Sequence, residues 1–108
     1  MVIKKSKNPL VSVIINCCNG ERYLAKCLES VINQSYKNWE IIFWDNCSKD
    51  NSEKIVKKIK DKRIKYFKSK KYYPLYEARN LAIKKSKGRF ISFLDTDDWW
   101  SLKKIELQ

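Results

Sequence analysis

Short β-branched runs alternate with segments of helical period along this chain, and that alternation restricts its fold more than any single residue does. Leu10-Val11-Ser12-Val13-Ile14-Ile15-Asn16 is too short for a typical helix and reads as a buried strand. Tyr23, Leu24, Cys27, Leu28, Val31 and Ile32 then share one helical face, with Lys26, Glu29, Ser30 and Asn33 opposite. Trp39 to Trp44 forms a second buried strand ending at Asp45. A helix opens at Asp50-Asn51-Ser52-Glu53, where Asp50 caps and Glu53 follows three residues on. Its apolar face is Ile55, Val56 and Ile59. Arg63 to Phe67 reads as a third strand and Lys68 to Pro74 as a loop. Tyr76 to Lys87 is a helix with Ala78, Leu81 and Ala82 inward, stopped by Gly88 in a left-handed end position. Arg89 to Leu94 is the fourth strand and runs into Asp95-Thr96-Asp97-Asp98. Trp99-Trp100 and an amphipathic stretch, Ser101 to Gln108, follow.

Strands alternating with helices imply an α/β fold, a mainly parallel sheet with helices on both faces. With 108 residues there is room for one small domain, or for part of a larger one. Met1 to Asn8 is expected to be a basic tail rather than a signal peptide, because Ser12 and Asn16 interrupt the apolar run that follows. In parallel sheets ligands bind beyond the carboxyl ends of the strands, where the strand order reverses. The residues to inspect are therefore Asn16, Asp45-Asn46 and Asp95-Thr96-Asp97-Asp98.

Composition removes several chemistries. The chain has no His, which excludes imidazole bases and His-ligated metals. Cys17, Cys18, Cys27 and Cys47 contain no C-x-x-C pair, so neither a zinc pattern nor a disulfide framework is expected. They read as reduced thiols in a cytoplasmic protein, with Cys17 and Cys18 pointing to opposite faces of a strand. No apolar run approaches the roughly 20 residues of a membrane span. The net charge is +12, from 24 cations and 12 acids, and only four of the cations are Arg. Lys is a solvated point charge, so this charge reads either as a solvated surface or as one attracted to anionic headgroups or polyanions.

The acidic rim has two readings. Asp95 and Asp97 are one residue apart, and at a strand end both would face the same side, within reach of one hard cation such as Mn²⁺ or Mg²⁺ and its bound phosphates. The same residues also suit a turn and helix cap. Asp45-Asn46-Cys47-Ser48 is similarly open between an Asx turn and a hydrogen-bonding edge for a base or ribose. No G-x-G-x-x-G or P-loop pattern is present.

Taken together, Val11 to Asn16, Asn19-Gly20-Glu21-Arg22-Tyr23-Leu24, Cys27 to Tyr36, Trp39 to Ser52, Ala78 to Ile83 and Gly88 to Asp98 resemble the opening of family 2 glycosyltransferases. The resemblance runs from about Pro9 to the end. It implies a GT-A (Rossmann-like) fold and inverting sugar transfer from a nucleotide-diphosphate donor, a UDP-sugar first among the candidates. By position it implies that Asn16 contacts the nucleoside, that Asp45 and Asn46 hold the base edge, and that Arg79 lines the nucleotide side of the cleft. It places Asp95 at the ribose or metal and makes Asp97 the main ligand of Mn²⁺ or Mg²⁺.

Two positions depart from the family pattern. Asn46 stands where a second acid is usual, and Cys47 where Gly or Asn is common. The resemblance also implies an acceptor half carrying the catalytic base, expected beyond Gln108. The chain is thus read as the donor-binding portion, a single partial domain over 1–108 that stops before the acceptor half. Its acceptor would be a saccharide or lipid-linked, with contact at the inner membrane face and self-association through an open sheet edge as further expectations. The competing readings differ at identifiable residues. A receiver-like domain would want acids after the first strand, where Asn16-Cys17-Cys18 stands. The other alternative is a non-catalytic nucleotide- or nucleic-acid-binding α/β module, and nucleic-acid binding would need Trp39, Trp44, Trp99 and Trp100 exposed among the cations.

Overall fold

The computed structural model describes residues 8–97. Four strands form a parallel sheet: β1 (Val11–Cys17), β2 (Trp39–Asp45), β3 (Ile64–Lys68) and β4 (Phe90–Phe93). The connecting helices are α1 (Glu21–Ile32), α2 (Ser52–Lys58) and α3 (Leu75–Lys85). The order in the sheet is β3-β2-β1-β4. The chain therefore steps outward from β1 to β3, then crosses back to place β4 on the other side of β1. That reversal opens a crevice between the carboxyl ends of β1 and β4.

Alternation along β1 and β2 supplies two cores, because successive side chains point to opposite faces. Val11, Val13, Ile15 and Cys17 join Ile41 and Phe43 beneath Leu24, Leu28 and Val31 of α1 and Val56 of α2. On the other face, Ile14, Ile42 and Trp44 pack against Ala78 and Ala82 of α3. Helices thus cover both faces, as the element order predicts. Cys17 is buried at the end of β1, Cys18 just beyond it is exposed, and none of the four cysteines is in a disulfide. Trp39 and Trp44 are 1% and 8% exposed, so neither can act as a base-stacking platform. Trp99-Trp100, the final amphipathic stretch, Asp98 and nearly all of the basic tail lie outside the described residues.

Three local expectations are corrected. Tyr23 does not join the core; it is 40% exposed, with the Arg22 guanidinium 5.2 Å from its ring centre. Asp50 and Glu53 do not form a capping box on α2. Asp50 accepts from Ser52 N at 2.9 Å and from Glu21 N at 3.0 Å, while Glu21 accepts from Asn51 N at 2.8 Å. The two helix starts are thereby tied to each other, and Glu53 is left to pair with Lys57 at 3.0 Å and Lys68 at 3.1 Å. Gly88 is not left-handed, since no described glycine has positive φ. It is a close-approach residue: a Cβ there would stand 2.4 Å from Ser12 Oγ and 2.6 Å from Ser12 N.

Beside Gly88 lies a buried polar cluster on the α3 face. The Glu40 carboxylate accepts from Ser12 Oγ and from Lys87 N, both at 2.6 Å, and from Lys65 Nζ at 3.3 Å. Burial pushes this carboxyl up, and the three donors more than offset it, holding it below the ordinary range. Arg63 likewise holds Asp61 down. A carboxyl whose folded value is depressed stabilises the fold above its unfolded value, near 4.5 for Glu40, and that contribution disappears as pH falls through the folded value. The melting temperature is therefore expected to be level between about pH 5 and pH 8 and to fall below pH 5. In Glu40→Gln the acid limb should flatten, which melting curves at several pH values will read.

Candidate functional site

At the β1–β4 crevice, Asn16 and the 19–23 segment face residues 95–97 across a recess of about 440 Å³. Asn16, at the carboxyl end of β1, has a shielded amide whose oxygen and nitrogen both lack a hydrogen-bond partner. Buried amides are almost always satisfied, so this one marks a place where a ligand or water belongs. Asp95, Thr96 and Asp97 line the opposite wall. Asp95 is open to solvent, with 73% of its side chain accessible, and Arg79 Nη2 stands 3.9 Å from its Oδ1. The Arg79 guanidinium also lies 5.1 Å from the centre of the Phe93 ring, which holds it beside the rim.

The approach of the two walls depends on Gly20. A Cβ on that residue would fall 2.8 Å from Thr96 Oγ1 and 3.0 Å from Thr96 Cβ. Asn19, at φ 58°, anchors the neighbouring turn: its N donates to Ser48 Oγ at 2.8 Å and its Oδ1 accepts from Lys49 N at 2.7 Å. Gly20 N adds a bond to Ser52 Oγ at 3.0 Å. The loops after β1 and β2 are thus one hydrogen-bonded unit.

Asp45 and Asn46 are not among the residues lining the recess. Asp45 is fully buried; Oδ1 accepts from Ser48 N at 2.9 Å, and Oδ2 accepts from the Tyr66 hydroxyl. Burial and this carboxylate push the Tyr66 phenol far above its ordinary value, so it stays protonated and donates. Asn46 pairs with the main chain of Tyr73, Nδ2 to O at 2.8 Å and N to Oδ1 at 3.0 Å. The two side chains fix the 45–48 turn and the loop leading into α3. Of the residues singled out in the sequence, Asn16, Asp95 and Asp97 come together, Arg79 is joined through Asp95, and Asp45 and Asn46 stand apart.

Sequence reasoning gave Asn19, Gly20 and Arg22 no part in a site, put Tyr23 on the core face of its helix and took Thr96 only as part of the acidic run. Their signal was position: they lie in the loops, or the first turn of α1, that leave the strand ends at the switch point. Cys47 takes φ 63°, a left-handed conformation that glycine adopts freely, and its thiol reaches Ser69 O at 3.5 Å. Cys47→Gly should raise stability by about 0.5–1 kcal/mol through relief of that strain, measured as a higher denaturation midpoint.

Fold and recess together define a Rossmann-like class of α/β domain. Solved structures make the comparison specific. S. aureus TarS in complex with UDP superposes with a TM-score of 0.84 at 29% identity, over 89% of this chain and 30% of that one. The mannosyltransferase PcManGT from Pyrobaculum calidifontis, solved with GDP-Man and Mn2+, shares the fold with a TM-score of 0.80 at 21% identity, over 85% of this chain and 28% of that one. The family model described as Glycosyl transferase family 2 matches residues 12–108, and the chain belongs to that family, with the GT-A fold. Among curated relatives, the Escherichia coli UDP-Glc:alpha-D-GlcNAc-diphosphoundecaprenol beta-1,3-glucosyltransferase WfaP is 44% identical over 99 residues, 92% of this chain and 39% of that protein. The putative teichuronic acid biosynthesis glycosyltransferase TuaG of Bacillus subtilis is 37% identical over 102 residues, 93% of this chain and 40% of that one. The chain spans about two-fifths of the length of these relatives.

Proposed function

We propose that this chain is the donor-binding part of a glycosyltransferase that moves a sugar, with inversion, from a nucleotide diphosphate to a saccharide or lipid-linked acceptor. The observation that carries the reading is the unpartnered Asn16 amide facing Asp95 and Asp97 across the recess at the topological switch point. Support for a UDP-sugar comes from TarS, solved with UDP and with UDP-GlcNAc, and from the E. coli relatives named as using UDP-Glc.

In this reading Asn16 satisfies its amide on the nucleoside, and Arg22, the cation lining the recess, faces the diphosphate. Asp45 and Asn46, whose side chains are taken up by Ser48, Tyr66 and Tyr73, act on the base side of the cleft by fixing its turns. Arg79 keeps Asp95 oriented toward ribose or metal. Asp95 and Asp97 fit a hard divalent cation such as Mn²⁺ or Mg²⁺, which takes one or two carboxylates and completes its shell with water and phosphate oxygens. Such an ion, when bound, supplies positive charge against the charge that grows on the leaving diphosphate. No described residue is assigned as the base that deprotonates the acceptor.

Calorimetric titration of the chain with UDP, GDP and dTDP, with and without Mn²⁺, tests this. UDP is expected to bind most tightly of the three, and more tightly with the metal than without it. Binding of none of the three by a folded chain would refute the donor reading.

A further inference from the structure

Positive charge is distributed very unevenly. Between Lys54 and Lys71 the sequence carries nine lysines and Arg63 against a single acid, Asp61, a net +9 within a chain of net +12. This segment is α2, the outer strand β3 and the loop after it, so the charge runs along one edge of the sheet. That edge is two strands away from β1, on the side opposite β4, and the recess is not built from it.

Some of these cations are partnered: Lys57 and Lys68 with Glu53, Lys65 with Glu40, and Arg63 with Asp61. Among the described residues no ion pair engages Lys54, Lys58, Lys60, Lys62, Lys70 or Lys71. At the end of the strip, next in sequence to Lys70 and Lys71, the chain exposes Tyr72 at 63%, Leu75 at 54% and Tyr76 at 68%. Lysines flanked by exposed tyrosine and leucine combine the two features of a surface that rests on a bilayer: diffuse positive charge for anionic headgroups and amphipathic rings for the interface. Lysine is a point charge without the forked geometry of arginine, which suits a fluid array of headgroups better than the fixed phosphates and base edges of a nucleic acid.

We propose that the β3 edge, from Lys54 to Tyr76, docks the protein on an anionic membrane surface. Among the described residues no helix is long and apolar enough to cross a membrane, and the contact proposed for this edge is with the bilayer surface. Docking is independent of the donor reading, since it uses none of the residues lining the recess.

Co-sedimentation of the chain with vesicles tests the proposal. Vesicles of phosphatidylcholine with about 30% phosphatidylglycerol should bind the chain at about 0.15 M salt, and pure phosphatidylcholine should not. Replacing Lys58, Lys60, Lys62, Lys70 and Lys71 together by Gln should weaken that binding on the order of 100-fold. The same change at Lys26, Lys37, Lys49, Lys87 and Arg89 removes equal charge elsewhere and should weaken it less than tenfold. Tyr72→Ala with Tyr76→Ala should abolish the part of the binding that survives high salt. UDP affinity and melting temperature, unchanged in every variant, would confirm that only the surface was altered. Equal losses in the two lysine sets would overturn the proposal in favour of undirected net charge. So would equal binding to neutral vesicles, or no binding by the unmodified chain. Displacement from vesicles by a single-stranded oligonucleotide that binds more tightly would reassign the edge to nucleic acid.

Discussion

Gly88→Ala is expected to destabilise the chain by about 3 kcal/mol, at the upper end of the usual cost of overpacking. The added methyl would meet Ser12 Oγ at 2.4 Å, Ser12 N at 2.6 Å and Leu10 O at 2.9 Å. Two of those atoms are backbone, so no side-chain rotation relieves them. The segment that must retreat also donates Gly88 N to Ser12 Oγ at 2.8 Å, and the adjacent Lys87 N donates to Glu40. Displacing it therefore leaves a buried carboxylate short of a donor. Denaturant titration reads the effect as a lower midpoint, and an unchanged midpoint would mean the strand and the 86–89 turn are not packed as described.

Asp97→Ala should weaken UDP binding at least tenfold in the presence of Mn²⁺, about 1.4 kcal/mol, and leave the residual affinity in a chelator unchanged. The asymmetry matters more than the size. A carboxylate that merely shaped the loop would affect both conditions alike, whereas a metal ligand acts only when the metal is there. Asp97 makes no hydrogen bond or ion pair among the described residues that would confound the comparison, unlike Asp95 with its Arg79 partner.

Periodicity and strand ends carried most of the architecture. Four β-branched or aromatic runs became four parallel strands, with boundaries displaced by about one residue, because a buried strand and its flanks are equally apolar. The candidate site was legible as far as position alone decides it: Asn16, Asp95 and Asp97 follow strand ends on either side of the switch point. Long-range partners were not legible. Asp45 and Asn46 look free in sequence, yet one is bonded to Tyr66 and the other to Tyr73, which lie 21 and 27 residues further along the chain. The same holds for Gly88. A glycine after a helix reads as a left-handed stop, and only the fold reveals the strand against which it lies. Asp50 and Glu53 had the spacing of a capping box, but a neighbouring helix start competed for Asp50 and two lysines for Glu53. Local pattern predicts local bonds, and apart from Glu53–Lys57, one turn apart on α2, these bonds are tertiary.

The most direct test of the donor site is an amide-resolved NMR titration of the chain with UDP and Mg²⁺. The largest shifts are expected at Asn16, at 19–23 and at 95–97, with smaller ones at 45–48. Shifts confined to the separate recess at Ser35, Tyr36, Lys37 and Asn38, or no shifts at all, would contradict the assignment of the β1–β4 crevice as the nucleotide site.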